Sequence, residues 1–225
     1  MERDPLAQAA VEPVTQGMLV GLGTGRAAAR AIHALAFRVE RDGLLIHCVA
    51  TSEASANLAA SLGLRVLPMD EIARVDYLFD GADEVDASLR MIKGRGGAMT
   101  REKIVARAAT RRIYLVQQDK VVRRLGEKAL LPIEVLAFGF EATRAALGSM
   151  GLRGEWRLAG DSRRYLTDNG NPVLDAPLPS PVELDRLREA LDAVPGVVGH
   201  GLFLSEADEV LVEGHERGDV SRMIR

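Results

Sequence analysis

The sequence predicts an α/β fold: a Rossmann-like, mostly parallel sheet with helices on both faces, plus a smaller inserted α+β domain of the ferredoxin-like type. Up to residue 130, short apolar runs alternate with helical patterns, which is typical of a parallel sheet covered by helices. Beyond residue 131 the predicted order becomes β-α-β-β-α-β, the order of a ferredoxin-like unit. We therefore expect residues 1–130 and 205–225 to form the Rossmann-like domain, and residues 131–204 to form the small domain.

In the Rossmann-like domain, short apolar runs predict the strands and longer amphipathic segments predict the helices. Thr51 or Ser52 would cap a helix that ends at Gly63, and Thr100 would cap a later one. The run EVLVEG (209–214) is expected to return to the main sheet. The other strands are expected at 17–22, 44–50, 65–67, 75–80 and 113–117, and the helices at 26–41, 51–63 and 100–112.

In the small domain, the segment 163–176 contains two strand-like runs separated by Asn169-Gly170, a pair typical of tight hairpin turns. Ser180 would cap the second helix, with a proline at its first helical position. Strands are also expected at 132–138, 155–159 and 197–204, and helices at 140–151 and 180–196.

The composition excludes several classes of protein. The chain has 225 residues and a net charge of -3, so we expect no general attraction to nucleic acid. Its single cysteine, Cys48, lies in an apolar run, and no internal disulfide can form. No apolar run is long enough to cross a membrane and no secretory leader pattern opens the chain, so a cytoplasmic protein is expected. The four histidines are dispersed, and we expect no metal site.

Four polar or glycine-rich stretches follow predicted strands. In open α/β sheets, ligands bind beyond the carboxyl ends of the strands, so these stretches are the candidate site. They are GLGTGRAA (21–28), TSEAS (51–55), DGADEVD (80–86) and KGRGGAMTREK (93–103).

The acidic stretch offers two carboxylates for chemistry. Asp80 follows the apolar run YLF, so the strand directs it at the crevice, and Asp83 follows after a turn that contains a glycine. Together they could hold sugar hydroxyls and move protons. A metal site is the competing functional interpretation, but no His or Cys cluster supports it. For Glu84 and Asp86 we expect an ordinary solvated loop.

The basic stretch combines a cation, glycines and a glutamate. Lys93 could stabilise a developing oxyanion, and the glycines after it let the backbone approach a ligand. Glu102 lies in the first turn of a predicted helix, where a glutamate often only complements the helix dipole. Because Lys93 and the acidic stretch accompany it, we favour Glu102 as a general base. Arg101 and Lys103 are expected to point into solvent.

The first stretch, VGLGTGRAAARAI (20–32), is a glycine-rich turn between a strand and a helix, where proteins often bind phosphate. The dinucleotide pattern G-x-G-x-x-G would need glycine at position 26, and Arg26 breaks it, so a nicotinamide-dependent dehydrogenase is disfavoured. The N–H groups of Thr24 to Ala27 could still donate to a phosphate. Arg26 either clamps the phosphate or projects into solvent, since a cation in a first helical turn opposes the helix dipole.

Taken together, these stretches resemble type A ribose-5-phosphate isomerase along nearly the whole chain. The resemblance rests on GLGTG, TSEAS, DGADE, KGRGGAMTREKI, LPIEV, TDNGN and VPGVVGHGLF. It implies interconversion of D-ribose 5-phosphate and D-ribulose 5-phosphate in the non-oxidative pentose phosphate pathway. No metal or organic cofactor is implied, and the family forms homodimers or tetramers.

The resemblance also implies roles for individual residues. Glu102 matches the proton acceptor and Lys120 matches a substrate-binding lysine. Three stretches depart from the family pattern: Arg95 stands where the family has glycine, and Arg26-Ala27 where it has Ser-Thr. The stretch that ends at Lys120 reads QQDK, where the family commonly has Asp and Ser near SK. The remaining matches to substrate-binding segments are Asp80, Gly81, Ala82 and Asp83, then Lys93, Gly94 and Gly96, and Thr24 with Gly25.

The same residues give a mechanism. Asp80 would assist opening of the sugar ring, and Glu102 would move a proton from C2 to C1 through an enediolate. Lys93 would stabilise the charge on oxygen, while Asp83 orients hydroxyls. The alternative hypothesis is a sugar-phosphate sensor of the same fold without the chemistry, favoured by the altered rim at Arg26.

Overall fold

A computed structural model describes residues 4–216 and 218–225. Its main sheet has six strands in the order β13-β12-β6-β3-β1-β2, and every neighbouring pair is parallel except β12 with β13. The prediction of a mostly parallel sheet is confirmed, and the run at 209–214 does return to it. The strands are β1 (Leu19–Leu22), β2 (His47–Ala50), β3 (Val75–Gly81), β6 (Ala109–Gln117), β12 (Glu209–Glu213) and β13 (Val220–Ile224).

Helices cover both faces of this sheet, as predicted. On one face, apolar side chains of α1 and α2 pack with Val20, Phe79 and Leu115 in one core cluster. On the other face, Val105 of α4 packs with Leu78 and other side chains of the opposite surface. The helices of this part are α1 (Pro5–Val11), α2 (Arg26–Asp42), α3 (Glu53–Ser61) and α4 (Met99–Ala108).

A second, antiparallel sheet has the strand order β10-β7-β9-β8, which is 4-1-3-2 in chain order within this unit. Two helices intervene, so the element order is the predicted β-α-β-β-α-β. The elements are β7 (Leu131–Val135), α5 (Phe140–Ser149), β8 (Glu155–Trp156), β9 (Val173–Ala176), α6 (Leu184–Asp192) and β10 (Val197–His200).

A small third sheet joins the two parts of the chain. It contains β4 (Glu84–Val85), β5 (Met91–Ile92) and β11 (Leu202–Phe203), in the order β11-β5-β4. The single strand predicted at 197–204 is therefore wrong: it divides into β10 and β11, which belong to different sheets. Because β11 pairs with β5 across the expected boundary, the division at residues 130 and 205 stays a prediction.

Several predicted boundaries need correction. The stretch 65–67 forms only an isolated bridge from Val66 to Cys48. Thr100 is not a cap, because α4 begins at Met99 and the Thr100 hydroxyl donates to the Glu134 carboxylate instead. The helix predicted to reach residue 112 ends at Ala108, since residues 109–117 form strand β6, which pairs with β3 and β12.

Helix α6 likewise starts later than predicted. Its N-cap is Glu183 rather than Ser180, so Pro181 precedes the helix. Helix α1 was missed by the sequence analysis. Asp4 caps it by accepting a hydrogen bond from the Ala7 N–H at 3.0 Å, with Pro5 at its first position. In the described ranges, no helix combines the length and hydropathy needed to span a bilayer.

Candidate active site

A cavity of about 610 Å³ lies at the carboxyl ends of β1 and β3, beside the first turns of α2 and α4. Of the site residues predicted from the sequence, Asp80 alone does not line it. The predicted residues in its wall are Thr24, Gly25, Arg26, Ala27, Gly81, Ala82, Asp83, Lys93, Gly94, Arg95, Gly96, Glu102 and Lys120.

The centre of the site is a buried ammonium between two buried carboxylates. Lys93 Nζ lies 3.0 Å from Asp80 Oδ2 and 3.2 Å from Glu102 Oε2. It also donates a hydrogen bond to the Gly81 carbonyl oxygen. All three charged residues are 3% exposed or less. The cation and the two anions therefore interact with little screening by water.

Burial and neighbouring charge change the acidity of these groups. Burial, with the negative charge of Asp80, raises the pKa of Glu102 to about 8, although Lys93 opposes the shift. Burial alone would lower the pKa of Lys93, but Asp80 and Glu102 more than reverse this, so its pKa lies above the ordinary value. The site thus holds a permanent cation beside a carboxyl group that can exchange a proton near neutral pH.

Asp80 lies behind Lys93 and joins the centre to the glycine-rich loop. Its Oδ1 accepts hydrogen bonds from the N–H groups of Thr24 at 2.9 Å and Gly81 at 2.7 Å. The loop approaches so closely that a Cβ atom on Gly23 would lie 2.2 Å from Asp80 Oδ1. Only glycine fits this position, which explains part of the GLGTG motif.

The glycine-rich loop leads into α2 and is braced by the TSEAS stretch. The Thr24 hydroxyl is hydrogen-bonded to the hydroxyls of Thr51 at 2.7 Å and Ser52 at 2.8 Å. Ser55 donates to the Gly23 carbonyl oxygen at 2.6 Å. Ser52 also caps α3 through the Ser55 N–H, which decides between the two predicted caps. These hydroxyls therefore fix the loop as well as capping a helix.

One detail of the predicted phosphate cradle is corrected. The Thr24 N–H is used by Asp80, so it is not available to a ligand. The N–H groups of Gly25, Arg26 and Ala27 at the start of α2 remain as candidate donors, and no side chain caps this helix. The Arg26 side chain is exposed at the rim of the cavity.

The opposite wall carries the other predicted binding residues. Asp83 Oδ2 accepts a hydrogen bond from the Arg95 N–H at 2.9 Å, so the backbone holds this carboxylate at the cavity. Lys120 donates to the Ala82 carbonyl oxygen at 2.6 Å, and its partial burial lowers its pKa. Gly94 adopts a φ of 104°, a conformation that favours glycine.

The expectation of a solvated acidic loop is wrong. Glu84 is fully buried and accepts hydrogen bonds from three backbone N–H groups, those of Gly126, Lys128 and Ala129. Asp86 is 2% exposed and pairs with Arg90. Glu84 thus binds donors that are distant in the chain, and Asp86 binds a nearby arginine; both contacts hold the loop in place. Neither carboxylate lines the cavity.

The residues beside Glu102 also differ from expectation. Lys103 is mostly buried, which lowers its pKa to about 8, and its Nζ lies 3.2 Å from His200 Nδ1. Arg101 is half-buried and donates to the Asn169 side chain and the Asp168 carbonyl oxygen. Both side chains thus tie α4 to the second sheet and its loops rather than extending into solvent.

Sequence analysis also missed Arg30, which lines the cavity and pairs with Asp4 and Glu213 at 2.6 Å each. Its spacing of four residues from Arg26 places both on one side of α2, and this spacing could have revealed it. In the described ranges, no group of three or more His, Cys, Asp or Glu side chains is arranged for a metal ion.

The geometry defines a class of protein. A buried carboxyl group that can exchange a proton near neutral pH and a buried cation lie beside a glycine-rich loop at a helix N-terminus, within an open α/β sheet. This arrangement is typical of an acid–base enzyme that acts on a small phosphorylated substrate.

Comparison with known proteins gives the family. The family model described as Ribose 5-phosphate isomerase A (phosphoriboisomerase A) matches residues 47–217. A ribose-5-phosphate isomerase A from Sphingopyxis alaskensis is 45% identical over 97% of this chain and 93% of that protein. One from Rhizobium meliloti is 44% identical over 93% of this chain and 92% of that protein. The chain belongs to the ribose 5-phosphate isomerase A family.

Solved structures agree with this assignment. Ribose 5-phosphate isomerase A from Methanocaldococcus jannaschii superposes with a TM-score of 0.91, at 35% identity over 98% of this chain and 97% of that one. A D-ribose-5-phosphate isomerase in complex with phospho-erythronic acid gives a TM-score of 0.92, at 34% identity over 98% of this chain and 96% of that one. The fold predicted from the sequence is therefore confirmed.

Proposed function

We propose that this protein interconverts D-ribose 5-phosphate and D-ribulose 5-phosphate by proton transfer through an enediolate. The observation that carries the proposal is the buried Glu102 carboxyl group, 3.2 Å from the Lys93 ammonium at the wall of the cavity. Because Glu102 also lines the cavity, its carboxylate can accept a proton from a substrate bound there. The family relationship supports the same activity.

In the proposed reaction, Glu102 removes the proton from C2 of the open-chain aldose and returns it to C1. The electron pair left at C2 forms the C1=C2 double bond of the enediolate and places negative charge on O1, which Lys93 stabilises. The proton of the C2 hydroxyl passes to O1, so that the C2 carbonyl forms when Glu102 protonates C1. Asp83 orients the sugar hydroxyls. Asp80 assists ring opening through Lys93, because its carboxylate lies behind the ammonium and reaches the substrate only by way of that group.

The substrate phosphate is assigned to the start of α2. The N–H groups of residues 25–27 and the positive end of the helix dipole supply donors there, and Lys120 adds a cation across the cavity. Arg26 replaces a hydroxyl residue of the family at this rim. A bound dianion would offset the unfavourable position of its guanidinium at the helix N-terminus.

The decisive experiment measures ketose formation from ribose 5-phosphate by the wild type, Glu102→Gln and Glu53→Gln. Glu53 is the matched control, because it also lies in the first turn of a helix but its side chain is 69% exposed. We expect Glu102→Gln to lose about 10²- to 10⁴-fold in kcat, and Glu53→Gln to be unaffected. A near-wild-type rate in Glu102→Gln would refute the assignment. A substrate-induced rise in Tm without turnover by the wild type would favour the sensor.

A homodimer is the proposed state, with a tetramer as the alternative, and the exposed apolar side chains of the second sheet region support self-association. Phe138 is 89% exposed and Leu158 is 60% exposed. Light scattering on the purified protein measures the mass directly, and a monomer would refute the assembly.

We place the enzyme in the cytoplasm, to be checked by cell fractionation, because its proposed substrate is a metabolic intermediate.

A further inference from the structure

The faces of two buried aromatic rings lie near the Lys93 ammonium. Lys93 Nζ lies 5.4 Å from the centroid of the Tyr114 ring and 5.6 Å from that of Phe203, over the ring in each case. Both distances are within the range of about 6 Å for cation–π attraction. Neither aromatic residue is exposed, so no water competes for the ammonium from these sides.

The Phe203 ring is itself firmly held. Its strand β11 pairs with β5, directly before Lys93, and the Lys93 N–H donates to the Gly201 carbonyl oxygen at 2.9 Å. A second ammonium, that of Lys103, lies 5.0 Å from the Phe203 centroid and 3.2 Å from His200 Nδ1. The segment that carries Phe203 therefore contacts both the backbone and the ammonium of Lys93.

The proposed reaction requires the Lys93 ammonium to keep its position while negative charge moves from Glu102 to the substrate oxygen. Before proton transfer, Lys93 is attracted by the carboxylates of Asp80, Glu102 and, at greater distance, Asp83. When Glu102 accepts the substrate proton, one of these attractions is lost and negative charge appears on the substrate oxygen. The face of an aromatic ring attracts a cation whichever group holds the proton. The two rings therefore supply the constant part of the attraction.

We propose that Tyr114 and Phe203 are positioning residues for Lys93, whose ring faces keep the ammonium in place while the proton is on Glu102. This inference rests on the proposed isomerase function. The Tyr114 hydroxyl is buried and has no hydrogen-bond partner among the described residues, so the ring rather than the hydroxyl carries the role.

The test replaces each ring by a side chain of similar volume, in Phe203→Met and Tyr114→Met, to limit the loss of packing. Two readouts are needed: kcat with KM, and the titration of the Glu102 carboxyl carbon by ¹³C NMR without substrate. We expect kcat to fall about 10- to 30-fold with KM within about twofold. Because a displaced ammonium stabilises the Glu102 carboxylate less, its titration should shift upward by about 0.5 to 1 pH unit.

Two further variants separate this role from a purely structural one. Phe79→Met removes an equally buried ring from a different core cluster, and should lower Tm without moving either the titration or kcat. Tyr114→Phe keeps the ring and should restore the wild-type titration lost in Tyr114→Met. Unchanged kcat and titration in folded Phe203→Met and Tyr114→Met would overturn the inference, as would an equal titration shift in Phe79→Met. If the wild type lacks isomerase activity, the proposed function fails, yet the ligand-free titration still reports on the rings.

Discussion

Removing the Lys93 ammonium should lower the free energy of unfolding, because Asp80 and Glu102 are buried and need a nearby cation. Burial raises the pKa of both carboxyl groups, that of Glu102 to about 8. Asp80 Oδ2 lies nearer to the Lys93 ammonium, at 3.0 Å against 3.2 Å for Glu102, and two backbone N–H groups also donate to Asp80, so Asp80 is the carboxylate that Lys93 mainly neutralises. In Lys93→Met, Asp80 either remains an uncompensated buried charge or takes up a proton. Protonating a carboxyl group whose ordinary pKa lies about three units below pH 7 costs about 4 kcal/mol. This agrees with about 3–5 kcal/mol for breaking a buried ion pair.

The loss should appear as a fall in Tm of about 6 to 20 °C for a chain of this size, measured by calorimetry. The deficit relative to the wild type should shrink by about 1.4 kcal/mol for each unit that the pH falls towards the ordinary pKa of an aspartate. Over this range only the folded variant binds the extra proton, and protonating Asp80 costs less free energy as the pH falls. In Lys93→Met/Asp80→Asn, the neutral amide no longer needs a cation, so much of the stability should return. A deficit below about 1 kcal/mol, or a double variant as unstable as the single one, would refute this reasoning.

Three other outcomes are expected. The kcat/KM of the wild type should fall tenfold per pH unit below about pH 8, because Glu102 must be ionised to accept a proton. If the pH profile of kcat/KM instead begins to fall only near pH 4.5, the ordinary pKa of a glutamate, the burial argument is contradicted. Glu84→Gln should lower the free energy of unfolding by about 2–3 kcal/mol, measured by urea denaturation, because its amide cannot accept all three backbone N–H groups. Arg26→Ser should raise the KM for ribose 5-phosphate about tenfold with little change in kcat; an unchanged KM removes Arg26 as a phosphate ligand.

The parts of the fold that sequence predicts well are those encoded by neighbouring residues. Apolar runs, helical periodicity and glycine turns are local patterns, and they identified the parallel sheet, the β-α-β-β-α-β unit and the acidic and glycine-rich stretches of the cavity wall. Lys120 was assigned to the site only through the resemblance to a known family, and Arg30 was missed. The division of 197–204 into β10 and β11 follows instead from pairing with β7 and β5, whose residues are distant in the chain. No local pattern contains that information.

The same limit explains the errors at the site. Glu84 looks like part of a solvated loop because its donors lie 42 to 45 positions away in the chain. Lys103 looks like an exposed helical residue because its partner, His200, is 97 positions away. Asp80 is predicted to face the cavity because it ends a strand, but Lys93, brought in from a later loop, lies in front of it. In each case the partner, not the residue, decides the environment.

The sequence allows two interpretations of Glu102, a charge that complements the helix dipole or a general base, and the structure distinguishes them. A first-turn glutamate that only complements the helix dipole gains about 0.3–1 kcal/mol and can stay in water, as the exposed Glu53 of α3 does. Glu102 is instead 3% exposed and shares its surroundings with the Asp80 carboxylate, a placement that costs several kcal/mol before Lys93 compensates. The dipole gain is too small to explain that cost. A proton acceptor needs both features, because burial brings its pKa towards neutral pH and the nearby cation stabilises the charge that the substrate acquires.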